Sequence, residues 1–175
     1  DCNICGHSFS ITPDHIQKNQ TQMVDGEEVE RTNWCPYCAD KKMCGIKSCL
    51  KCRELSFADH PNAKCWIKEK NSKRAWQCFA GTADKYWFLC DKKDCGHEFQ
   101  QQLAGITCRD AWCPYCSGDS LCLSGCDVCF QKTFASHDRA HTWAVRNPKT
   151  ARETLKGSQT IVDFDCDCGH TFKAR

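Results

Sequence analysis

The chain has 175 residues, a formal net charge of +2 and nineteen cysteines. So high a cysteine content means a disulfide framework or metal thiolates, and an odd count leaves one cysteine over in any all-disulfide scheme. No run of eighteen apolar residues exists, which excludes a membrane-spanning helix, and the N-terminus lacks the basic and apolar blocks of a signal peptide.

The chain opens on Cys2-Asn3-Ile4-Cys5-Gly6-His7-Ser8-Phe9. Two cysteines this close, followed by glycine, form a knuckle whose thiolates converge on one tetrahedral ion. The segment between Cys5 and Cys35 is rich in Gln, Glu, Asp and Lys and reads as an exposed loop. Trp34-Cys35-Pro36-Tyr37-Cys38 is a second knuckle, stiffened by its proline. Cys2, Cys5, Cys35 and Cys38 therefore make one four-cysteine site, closed and hence structural.

Three more cysteines follow, Cys44, Cys49 and Cys52, with His60 eight residues beyond the last. They are expected to form a three-cysteine, one-histidine site. The alternative is that His60 caps or packs while the fourth ligand comes from elsewhere. Ser56 to Trp66 places Phe57 and Trp66 on spacings that predict a short helix with an apolar stripe. Tyr86-Trp87-Phe88-Leu89 predicts a strand running into the next knuckle.

At Cys90 the pattern starts again, with a repeat length of about 77 residues. Cys90 through Cys95-Gly96-His97-Glu98-Phe99 is the first knuckle and Trp112-Cys113-Pro114-Tyr115-Cys116 the second, giving a site of Cys90, Cys95, Cys113 and Cys116. Cys122, Cys126, Cys129 and His137 form the companion site, with the same alternative open for His137 as for His60. Ser136 to Trp143 predicts the second short helix, and Thr160 to Phe164 a strand into a third knuckle, Cys166-Asp167-Cys168-Gly169-His170-Thr171-Phe172. Cys166 and Cys168 supply half a metal site, to be completed by further sequence or a neighbouring chain. His7, His97 and His170, each one glycine beyond a knuckle cysteine, are expected to donate hydrogen bonds to thiolates rather than to bind the ion. Cys65, Cys78 and Cys108 lack counterparts in the other copy and read as buried thiols, with a Cys65–Cys78 pairing left open.

The expected architecture is small, metal-stabilised α+β: residues 1–89 are one repeat, 90–165 a second and 166–175 the start of a third, each built from short β-hairpins and short helices. The opening on Asp1 and the close after a third knuckle suggest a longer array. About four zinc ions per chain are expected, plus the half site. Thiolate zinc also implies a reducing compartment, cytoplasm or nucleus, or an intracellular assembly. Units this small cannot stabilise themselves by burial alone, so metal binding and folding should be coupled. The aromatic residues then read as mini-core, with base stacking the sharper alternative for Trp34 and Trp112.

The Cys-Gly-His-x-Phe knuckles, the Trp-Cys-Pro-Tyr-Cys pentapeptide, Cys126 to Phe130, Ser56-Phe57-Ala58 and its counterpart Thr133-Phe134-Ala135, and Trp66 or Trp143 with an Asn shortly after, together resemble a known family. It is the zinc-ribbon repeat, related to treble-clef fingers, found in many proteins of large nucleocytoplasmic DNA viruses. The resemblance covers essentially the whole chain and implies a viral origin and a zinc-ribbon fold. Departures are the longer segment between Cys5 and Cys35 and the shortened Cys166–Cys168 knuckle.

Saturated zinc sites argue against an enzyme. For nucleic acid, charge decides: a zinc with four thiolates carries −2 and one with three thiolates and a neutral histidine −1. Two of each bring the formal +2 down to about −4. Lys64, Lys68, Lys70, Lys73 and Arg74 could still form a basic face, though such a run usually belongs to a solvated surface. The expectation is thus a structural or adaptor protein that binds other proteins and, in the viral setting, a minor capsid or virion component. Zinc-dependent DNA binding is the alternative.

Overall fold

The structure is a computed structural model and describes residues 1–2, 5–12, 20–24, 27–31, 35–122 and 124–175. Two compact units result: Asp1–Phe88 with Gln100–Ala111, and Leu89–Phe99 with Trp112–Arg175.

In the first unit, strands β1 (Gln20–Val24) and β2 (Glu27–Arg31) pair antiparallel, with Gln20 opposite Arg31 and Val24 opposite Glu27. The polar segment expected as a loop thus contains a hairpin. The sequence carries Asp-Gly between Val24 and Glu27, a dipeptide favoured between paired strands, so a signal for the pairing was available there. Trp34 lies outside the described residues, so its stacking role does too.

The remaining strands are β3 (Lys85–Leu89), β4 (Glu98–Gln102), β5 (Val162–Asp165) and β6 (Thr171–Ala174). They form two further two-stranded sheets, β3 with β4 and β5 with β6. In β3 the side chains alternate, with Tyr86 and Phe88 buried and Lys85 and Leu89 exposed, as a strand with one covered face requires.

The two stretches expected as short helices are not α-helical. Each is a pair of 3-10 turns: Phe57–Asp59 and Pro61–Cys65 in one, Phe134–Ser136 and Ala140–Thr142 in the other. In the first copy Pro61 has no N–H for a continuing helix, and the His60 ring accepts the Asn62 N–H at Nδ1 (3.1 Å), starting a new turn. His137 does the same for the Arg139 N–H at 3.1 Å.

These turns fold over small aromatic cores. Phe57 and Phe88 are fully buried, 5.6 Å apart edge to face, with Trp66 at 5.5 Å from Phe88. The second unit repeats this with Phe134, Trp143 and Phe164, where the Trp143 and Phe164 rings lie 5.7 Å apart. Backbone pairing repeats as well: Trp66 bridges Phe88 and Trp143 bridges Phe164, while Ser56 bridges Phe79 and Thr133 bridges Leu155. Trp66 and Trp143 thus behave as the expected mini-core residues.

One side chain fixes each core to its strand. Asn71 Nδ2 donates to the carbonyls of Ile67 and Trp87, both at 2.9 Å, and its Oδ1 accepts the Trp87 N–H at 2.9 Å. Asn147 repeats the clasp, donating to the Asp163 carbonyl and accepting its N–H, both at 2.8 Å.

Candidate metal centres

Four clusters of cysteine and histidine form, two in each unit. In each, four ligand atoms lie within 4.8 Å of one another.

The first is Cys2, Cys5, Cys35 and Cys38, and the third Cys90, Cys95, Cys113 and Cys116, the two four-cysteine groupings expected from the knuckles. Gly6 and Gly96 take left-handed conformations, φ +68° and +55°, which let the chain reverse directly after the second thiol. The reversal is closed by Cys2 N–H donating to the His7 carbonyl at 3.0 Å, and Cys90 N–H to the His97 carbonyl at 2.9 Å. On the opposing knuckle, Pro114 begins a one-turn helix, Pro114–Ser117, that brings Cys113 and Cys116 to one side.

A tetrahedral zinc with Zn–S bonds of about 2.3 Å separates its sulfurs by about 3.7 Å. The observed Sγ separations are 3.5 Å for Cys2–Cys38 and for Cys5–Cys35, 3.6 Å for Cys90–Cys116 and 3.7 Å for Cys95–Cys113. These donor sets fit the ion.

The second and fourth clusters correct the histidine assignment. Cys44, Cys49 and Cys52 gather around His7, and Cys122, Cys126 and Cys129 around His97. His7 Nε2 is 3.3 Å from Cys49 Sγ and 3.6 Å from Cys52 Sγ; His97 Nε2 is 3.2 Å from Cys126 Sγ and 3.6 Å from Cys129 Sγ. A zinc bound by one sulfur and one imidazole nitrogen holds them about 3.5 Å apart, so these spacings also fit. Stacking on a knuckle tyrosine sets each ring, His7 on Tyr37 at 4.2 Å and His97 on Tyr115 at 4.3 Å. His60 and His137, expected as the fourth donors, instead stack on Phe57 at 4.8 Å and Phe134 at 5.0 Å and cap the turns that follow.

His97 serves both clusters of its unit. Its Nδ1 lies 3.1 Å from Cys95 Sγ while Nε2 faces Cys126 and Cys129, so a ring that binds a metal through Nε2 donates its other N–H to a thiolate of the neighbouring site. The expected hydrogen bond to a thiolate and the unexpected ligand position belong to the same residue.

Packing thiols this closely conflicts with their ionisation when no metal is bound. Burial, reinforced by neighbouring cluster thiols, pushes Cys52 up to about 12 and Cys116 and Cys129 up to about 11. Cys122 goes the other way: burial raises it, but hydrogen bonds from Ser124, Cys126 and His97 bring it down to about 5. A divalent cation resolves the conflict by compensating several thiolates at once.

Cys166 and Cys168 are brought together, and among the described residues they belong to no larger donor group. Cys65 and Cys78 are buried thiols, as expected, and the Cys78 thiol donates to the Arg74 carbonyl at 3.4 Å. Cys108 is exposed, contrary to expectation, because it ends the solvent-facing side of the Leu103–Arg109 helix, whose buried face is Leu103, Gly105 and Ile106.

No protein-family model matches the chain. It is 32% identical, over 139 residues and 78% of its length, to the uncharacterized protein R635 of Acanthamoeba polyphaga mimivirus. The match covers 33% of that protein, so the chain spans about a third of the length of this curated relative. A mimivirus homologue fits the viral origin that the knuckle and pentapeptide motifs imply. Among the described residues, no helix is long and apolar enough to cross a membrane.

Proposed function

We propose that the chain is a non-catalytic protein holding four structural zinc ions, and that it acts as a scaffold or adaptor for other proteins in a giant virus, as a minor capsid or virion-associated component. The observation that carries this reading is the completeness of the donor sets: four clusters, each with four ligand atoms within 4.8 Å of one another, and in the two four-cysteine clusters sulfur pairs at 3.5 to 3.7 Å. An ion held by four protein ligands keeps no position for water or substrate, which is the character of a structural zinc. The zinc-ribbon assignment rests on the same clusters with their hairpin knuckles. The viral setting rests on the mimivirus relative.

Protein rather than nucleic acid is favoured as partner by charge. With two four-thiolate and two three-thiolate sites filled, the formal +2 of the chain falls to about −4, which opposes phosphate binding. DNA binding has one local feature in its favour, a cleft in the first unit lined by Lys41, Lys42 and Lys73, although Asp84 shares it. Two measurements decide. Elemental analysis of purified protein should give about four zinc ions per chain, and two or fewer would overturn the reading. Titration with duplex and single-stranded DNA at low salt should show no tight binding; an affinity that falls steeply as salt rises would replace the adaptor with a DNA-binding protein.

A further inference from the structure

Each unit holds one four-cysteine cluster and one cluster of three cysteines with a histidine, but the two units join their clusters differently. In both, the ring whose Nε2 faces the three-cysteine group stacks on the tyrosine of the second knuckle, at 4.2 Å for His7 and 4.3 Å for His97. In the second unit the other ring nitrogen is engaged as well: His97 Nδ1 lies 3.1 Å from Cys95 Sγ, a ligand atom of the four-cysteine cluster. His7 Nδ1, at the same motif position, is buried and has no hydrogen-bond partner among the described residues.

A second link distinguishes the units in the same sense. Lys132, three residues after Cys129, donates from Nζ to the carbonyls of Tyr115 and Cys116, the latter at 2.7 Å. The segment leaving one cluster is thereby tied to the knuckle of the other. Leu55 stands in its register in the first unit: the Ala80 N–H donates to the Leu55 carbonyl as the Lys156 N–H donates to that of Lys132, both at 3.0 Å. A leucine side chain has no donor, so among the described residues the first unit has neither link.

We propose that His97 and Lys132 couple the two metal centres of the second unit, so that filling either one raises the affinity of the other, while the centres of the first unit fill independently. The tautomer sets the sign. An imidazole that binds an ion through Nε2 carries its proton on Nδ1, where it donates to the Cys95 thiolate and relieves part of the negative charge that four thiolates leave on a bound zinc. The same hydrogen bond makes Nε2 a more basic ligand, and by linkage the two effects are equal in free energy. Lys132 adds a mechanical part by holding the Cys113–Cys116 knuckle beside the segment that follows Cys129. The inference rests on the zinc reading above and makes the second unit a paired site that takes up and gives up its ions together.

The test uses the whole chain, kept reduced with a phosphine and loaded with a spin-active cadmium isotope in place of zinc. About four cadmium ions per chain establish the sites first; a count of two or fewer would overturn the zinc reading and the coupling with it, whereas the remaining outcomes bear on the coupling alone. In nuclear magnetic resonance spectra the His97 ring should couple to two cadmium ions, directly through Nε2 and through the Nδ1 proton across the Cys95 sulfur, and the His7 ring to one. Titration with a competing chelator then measures affinity, and alkylation of the released cysteines identifies the cluster that opens. Replacing Cys122, Cys126 and Cys129 by serine leaves His97 in place and should weaken cadmium at the Cys90 cluster about tenfold, while the matching Cys44, Cys49 and Cys52 variant should leave the Cys2 cluster within about twofold. In a Lys132→Leu background the tenfold effect should shrink to about threefold. No weakening in the second unit, equal weakening in both units, which would be loss of local structure alone, or a His97 ring coupled to a single ion would overturn the proposal.

Discussion

A glycine in the left-handed region turns the chain sharply enough that the residue after it leaves the turn on the far side of the knuckle. Gly6 and Gly96 do this for His7 and His97, and so Nε2 of each ring faces cysteines much later in the chain. The expectation tied His60 and His137 to those cysteines because they are near in sequence. His7 is 42 residues from Cys49, a separation that sequence spacing does not bridge. What the sequence did reveal was the count of donors and the alternative of capping, since each capping histidine follows its phenylalanine at the same interval in both copies. Removing the imidazoles separates the roles: His7→Ala should lower the zinc content by about one ion per chain, and His60→Ala should leave it at about four. Zinc released on denaturation, measured with a chromogenic chelator, distinguishes the two variants.

The 3-10 turns, the short strands and the asparagine clasp are the parts that hold each aromatic core in place. Pairs of turns of three to five residues replaced the expected helices, and in the first copy Ser56 and His60 each cap the turn that follows, so the chain restarts there. Strand β3 was legible from its aromatic run, whereas β1 and β2 lie in a stretch whose polar composition hid their pairing. The clasp was visible only as a shared asparagine; its three hydrogen bonds require the strand to pass beside it. Asn71→Ala removes two donors and one acceptor from the strand edge and should cost about 2–4 kcal/mol of stability in the zinc-loaded protein. Denaturant unfolding followed by tryptophan fluorescence measures the loss, and Asn147→Ala, which removes two hydrogen bonds rather than three, should give a smaller loss in the second unit.

The cores of both units are a few rings each, far less than a domain of ordinary size buries, and the four clusters are placed where further packing would otherwise be needed. The cysteine pairs pointed to metal binding from the sequence alone, because closely spaced thiols at such density suit shared coordination of one ion. Stripping the metal with a high-affinity chelator at neutral pH should therefore collapse the far-ultraviolet circular dichroism and expose most cysteines to a thiol reagent, and restoring zinc should reverse both. Retention of the dichroism signal through complete metal loss would show that the aromatic cores suffice.

His97 limits how finely the second unit can be divided. Nδ1 of its ring faces Cys95 and Nε2 faces Cys126 and Cys129, so a cut anywhere between His97 and Cys122 separates the ring from the three-cysteine group of its second cluster. The smallest piece of this half of the chain that keeps both clusters whole accordingly runs from Cys90 to Cys129, and gain or loss of length by recombination would have to proceed in whole pairs of clusters.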